Sequence, residues 1–176
     1  MNEFLDNAKD EMKRVDHLIY VSLKYTRTVD VLKSVIDRMI STFDFGFLGL
    51  LEKVEGRRKN FDIPTQPRVR AEILNKVFPD NKDIQDYVEF YLLLRNLSQA
   101  KYEKREEYRR HVTMISEIKV DDKIISILGL KELPVDSSNK ELAFKLTKTV
   151  EVNIDVLYEF YERCKKFIEY LEENLK

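Results

Sequence analysis

The chain has 176 residues, with 31 Lys or Arg against 32 Asp or Glu, a net charge of -1 and 43% apolar residues. That balance removes any global attraction to nucleic acid or membrane, so such a contact must come from a local patch. The apolar share is too high for a disordered chain, and a single cysteine excludes an intrachain disulfide or a Cys-built zinc site.

The first 14 residues are acidic and amphipathic, unlike a secretory signal. The longest apolar run falls far short of the roughly 20 residues needed to span a bilayer. A cytoplasmic protein with no membrane contact is expected. Leu5, Ala8, Met12, Val15, Ile19 and Leu23 recur at steps of three and four and predict a first helix over 3–25. A second starts near Thr28, with Val31, Val35, Met39 and Phe43 on one face. The following FDFGFLGLLEKV is apolar on all sides and holds Gly46 and Gly49. Glycine costs about 1 kcal/mol inside a helix, so a kink or a short buried helix is predicted there.

Residues 55–67 read as a loop, stopped by Pro64 and Pro67. A short helix over 68–78 ends at Pro79, and Asp80 or Asn81 caps the next. That helix carries LLLRNLSQAKY, residues 92–102, and its far end, near Ala100 or beyond Arg110, is left open by the pattern. A small helix is predicted over 121–128, a turn at KELPVDSS, and a capping box from Ser138 with Glu141. From there a three-four spacing runs to about Asn174, which as one helix would reach roughly 55 Å. Such a length requires either a bend near 147–153, where β-branched residues and Asn weaken the helix, or packing on a second subunit. No strand alternation of useful length is apparent. The fold expected is all-α, an antiparallel helical bundle with a long C-terminal helix, residues 1–111 forming the core and 112–176 a helical extension on that core or on a second subunit.

Arg95 follows four apolar residues and lines up with Ile84, Val88 and Tyr91, so it needs a partner. An internal carboxylate (Asp30, Asp37 or Asp16) is one reading, and an RNA phosphate the other. Between Lys101 and Arg110 lie five Lys or Arg and three Glu, with Tyr102 and Tyr108 interleaved among Arg105, Arg109 and Arg110. Cations beside aromatic rings suit single-stranded nucleic acid through phosphate pairing and base stacking. The glutamates equally suit a solvated helix face. Arg57, Arg58 and Lys59 form a second basic cluster in a loop. His111 has the chemistry of a general base, whereas His17 lies off the apolar stripe. With the two histidines far apart in sequence, and with no Gly-rich phosphate loop, HExxH or EF-hand loop, neither metal nor cofactor is expected.

At LLLRNLSQAKY the chain resembles the HEPN superfamily of small helical domains. In that family a late helix carries an Arg, usually followed by Asn, Asp or His, then a His four to six residues on and often a Tyr. Many members are metal-independent ribonucleases acting as dimers, and others are RNA-binding or interaction modules that have lost the motif. Arg95, Asn96 and Tyr102 match, but the histidine is absent. A second placement, Arg105 to His111, meets the spacing with Glu106 in the amide position. The resemblance implies a dimeric, non-catalytic module binding RNA, or a nucleic-acid-associated partner, through Arg95, Asn96, Tyr102, Arg105, Tyr108, Arg109 and Arg110 with His111 beside them. The alternatives are a ribonuclease using Arg105 on the phosphate and His111 as base, and an interaction protein that homodimerises through its C-terminal helix.

Overall fold

The computed structural model describes residues 2–119, 131–132 and 148–176, and these form five main helices and a small antiparallel sheet. Helix α1 spans Glu3–His17, capped by Asn2, whose side chain accepts from the Phe4 and Leu5 amides. It continues through a π-helical turn, Leu18–Ser22, into Leu23–Tyr25. Helix α2, Val29–Glu55, starts at Thr28, whose hydroxyl accepts from the Val31 amide. Helix α3 is Pro67–Val77, and α4 is Lys82–Gln99, with Asn81 accepting from the Ile84 amide as its cap. After strands β1 (Tyr102–Arg105), β2 (Thr113–Ile118), β3 (Lys131–Glu132) and β4 (Lys148–Asn153), helix α5 runs Ile154–Leu175.

Helix α2 is the axis of the molecule, packed against α1, α3, α4 and α5. It is continuous through the predicted kink. Gly46 and Gly49 are there for close approach rather than for bending. A Cβ on Gly46 would lie 2.5 Å from the Phe167 ring, and one on Gly49 2.9 Å from Leu175. The absent side chains let α5 approach, and Phe43 stacks on Phe167 at 4.2 Å. Residues on both sides of position 111 share one apolar core, from Leu5 to Leu175. The apolar stripe of α5, including Leu157, Phe160, Cys164 and Phe167, is buried within it.

The sheet corrects the all-α expectation. Its order is β1-β2-β4-β3, antiparallel throughout. Helix α4 stops at Gln99, Ala100 turns extended, and Tyr102–Arg105 pairs with Thr113–Ile118, so the basic tail is a strand and a loop rather than a helix face. The 55 Å C-terminal helix is likewise excluded, because Lys148–Asn153 is a strand. Val150 and Val152 turn one face of β4 into the core beside Met114, and Asn153 then caps α5 by accepting from the Val156 amide at 2.9 Å. The stretch predicted to bend, 147–153, holds strand β4, which gives way to helix α5 at Ile154. Of the predicted turn, Lys131–Glu132 is strand β3. The rest of that turn, the predicted helix at 121–128 and the Ser138–Glu141 capping box lie outside the described residues. Among the described residues no helix is long and apolar enough to cross a membrane.

Candidate functional site

Three remote segments meet at one end of α2. The first is the π-helical turn, where the Leu23 amide donates to the Leu18 carbonyl five residues back. The extra residue in that turn re-aims the surface side chains, a device common at functional sites. Tyr20 projects outward, edge-on to Tyr161 and 6.1 Å from Tyr158. Arg27 sits in the link between Tyr25 and α2.

The second segment is the loop between β1 and β2. Glu106 (φ 54) and Tyr108 (φ 65) hold the left-handed conformation, which costs non-glycine residues on the order of 1 kcal/mol or more each. Two hydrogen bonds enforce it. The Tyr108 amide donates to the Arg27 carbonyl at 2.6 Å, and the Glu107 carboxylate accepts from the Val29 amide at 3.3 Å. Buried Val112 anchors the far side of the loop. Glu107 is therefore turned inward onto the first turn of α2, leaving Arg109, Arg110 and His111 to face solvent. The third segment is the start of α5, where Asn153, Asp155 and Tyr158 follow one another around the first turn.

Between these segments lies a cleft of about 570 Å³. Tyr20 and Tyr158 supply aromatic walls, and Ile19 and Leu23 part of the floor. Lys24, Arg27 and Arg110 bring three permanent positive charges against the single carboxylate of Asp155, with His111 beside them. None of those three cations is ion-paired among the described residues. In a chain of net charge -1 this is a local excess of positive charge. The surface aromatics gather here too. The large hydrophobic residues exposed among those described are Tyr20 (53%), Val21 (40%), Tyr25 (78%), Tyr108 (77%) and Tyr158 (40%). All lie in the segments that build the cleft.

The sequence-predicted residues divide. Arg110 and His111 line the cleft, and Tyr108 and Arg109 stand in the same loop. Arg105 does not line it. Its guanidinium pairs at 2.7 Å with Glu151, a buried carboxylate on β4. Tyr102 donates to Asp30 at 3.4 Å, and Lys104 reaches the same carboxylate. Asn96 bridges Arg68 and the Lys119 carbonyl. Arg95 lies over the Tyr91 ring at 5.8 Å and donates to its hydroxyl at 3.4 Å. Tyr91 in turn donates to Asp44 at 2.5 Å. Burial pushes the Asp44 carboxyl above its ordinary range, opposed by the Tyr91 hydrogen bond and by the charges of Arg95 and Arg70. Asp44 meets Arg95 through the Tyr91 hydroxyl and through the longer-range pull of its charge, with no direct ion pair between them. The three anticipated partners are engaged elsewhere: Asp30 with Lys104, Asp37 with Ser98, and Asp16 with Tyr161.

His17 is exposed, as its place off the apolar stripe implied. Arg57, Arg58 and Lys59 are exposed just past the C-terminal end of α2, about 40 Å along the helix from Val29. Sequence reasoning missed Tyr20, Lys24, Arg27, Asp155 and Tyr158. One signal was present: Tyr20 and Tyr158 are large aromatic rings on the polar sides of amphipathic helices. No protein-family model, curated protein or solved structure matches this chain, so the reading of its function stands on the cleft.

Proposed function

We propose that the protein is a non-catalytic, HEPN-like α-helical module that binds single-stranded RNA through the Tyr20–Arg27–Arg110–Tyr158 cleft. The observation that carries this reading is the coincidence, at one end of a near-neutral molecule, of cations without ion-pair partners among the described residues with the exposed tyrosines. Ring faces stack bases of any sequence, and guanidinium groups take phosphate oxygens in a bidentate manner. A left-handed loop and a π-turn, both energetically unfavourable in isolation, are maintained beside it.

The non-catalytic version is favoured because Arg105 is held by Glu151, which leaves His111 in the cleft without the arginine a ribonuclease reading would assign to it. The HEPN-like character rests on Arg95 and Asn96 on a late helix, and in this chain that pair serves the fold. Fluorescence anisotropy with a labelled single-stranded RNA over a salt series tests the reading. Affinity falls as salt rises if phosphates are being neutralised, and absence of binding at low salt removes the proposal.

A further inference from the structure

We infer that the cleft takes one nucleotide bearing a terminal phosphate, and so holds an RNA by a phosphorylated end rather than along its length. This rests on the nucleic-acid reading above and narrows it. Size is the first argument. A cleft of about 570 Å³ falls in the range of about 300–1,000 Å³ typical of small-molecule sites. Grooves that track single strands accommodate roughly 4–16 nucleotides per module.

Charge placement is the second. Arg27 and Arg110 come from different segments and converge on the cleft without ion-pair partners among the described residues. A terminal phosphomonoester carries about -1.5 to -2 charges and three acceptor oxygens, against a single charge on an internal diester. Two guanidinium forks match the former.

The third argument is Asp155. It stands three residues before Tyr158 in the first turn of α5, so both lie on one helix face. A continuous strand crossing Tyr158 would bring its diester phosphates toward that carboxylate. A single nucleotide avoids this. Its base lies on Tyr158 and Tyr20, its ribose hydroxyls or base amino groups donate to Asp155, and its phosphate reaches Arg27 and Arg110 on the other walls.

The test uses the full chain and four probes: adenosine 5′-monophosphate, and a ten-residue RNA with 5′-phosphate, with 3′-phosphate, or with hydroxyls at both ends. One phosphorylated RNA should bind at least about ten-fold tighter than the unphosphorylated one, and the mononucleotide should compete with it. Arg27→Gln with Arg110→Gln should erase that preference, while Arg57→Gln with Arg58→Gln should leave it intact. Equal binding of all three RNAs, still weakened by the cleft substitutions, overturns the end-binding inference and leaves the RNA reading standing. Binding of the mononucleotide without any RNA keeps the pocket, assigns it to a free nucleotide and removes the RNA reading. Binding of no probe overturns both.

Discussion

Asp44, Tyr91 and Arg95 show how one charged residue on a central helix is accommodated. Arg95 sits one turn beyond Tyr91, close enough to lie against its ring and donate to its hydroxyl. Tyr91 donates its own hydroxyl hydrogen to Asp44 on the neighbouring α2. Because the folded carboxyl is raised above its ordinary value of 3.8, the native state binds a proton there more readily than the unfolded chain. Asp44 therefore favours folding most below pH 3.8, and its contribution declines as pH rises through the folded pKa. The Tyr91 hydrogen bond moderates the decline. Replacing Tyr91 with Phe should raise the Asp44 pKa further and cost about 2 kcal/mol at neutral pH, as expected when a charged group is deprived of a hydrogen bond. Urea unfolding across a pH series checks this. The deficit should shrink towards about pH 3, where the carboxyl is protonated with or without Tyr91. A deficit independent of pH would show that Asp44 is not the partner that matters.

The helices and the sheet differ in how openly the sequence declares them. The three-four spacing of Leu5 to Leu23 and of Val31 to Phe43 marks α1 and the start of α2 without help from any distant residue. Gly46 and Gly49 do need such help. Their meaning depends on Phe167, Leu171 and Leu175, more than 120 positions away, so local propensity alone predicts a break that does not occur. Gly46→Ala gains helix propensity of about 1 kcal/mol but drives a Cβ into a fully buried ring stacked on Phe43. The overpacking cost, about 1–3 kcal/mol, should win, and chemical denaturation should show net loss of stability.

Strand β4 escaped notice because Val150 and Ile154 extend the three-four spacing of the helix that follows, while Val150 and Val152 keep the two-residue spacing of a strand. Only the pairing with β2 decides between the periods. Within this sheet Arg105 neutralises Glu151, whose side chain is 11% exposed. Arg105→Ala should cost about 2 kcal/mol, between the values for surface and buried pairs, without weakening RNA binding. A parallel drop in affinity would return Arg105 to the binding surface.

At the scale of the whole molecule the candidate site is an assembly property. Residues 19–27, 108–111 and 153–158 each carry an ordinary mixture of charge and aromatic side chains, and no spacing rule links them. The tail beyond Arg95 announced part of the site through Tyr108, Arg110 and His111. Its strand portion, by contrast, turned Tyr102 and Arg105 toward structural partners. The other half, Tyr20, Arg27 and Tyr158, became visible only when α1, α2 and α5 were packed together. The axis of α2 also separates the two basic clusters by about 40 Å, which provides an internal control of matched charge.

The most direct measurement is the salt dependence of single-stranded RNA affinity for two double variants, Arg27→Gln with Arg110→Gln and Arg57→Gln with Arg58→Gln. Each removes two positive charges. If the cleft is the binding surface, the first pair weakens binding by at least about ten-fold. It also flattens the plot of log affinity against log salt, by roughly 0.7 for each phosphate charge that is no longer neutralised. The second pair should leave both quantities near those of the parent protein. Equal effects from the two pairs, or a larger effect from the Arg57 and Arg58 pair, would contradict the account.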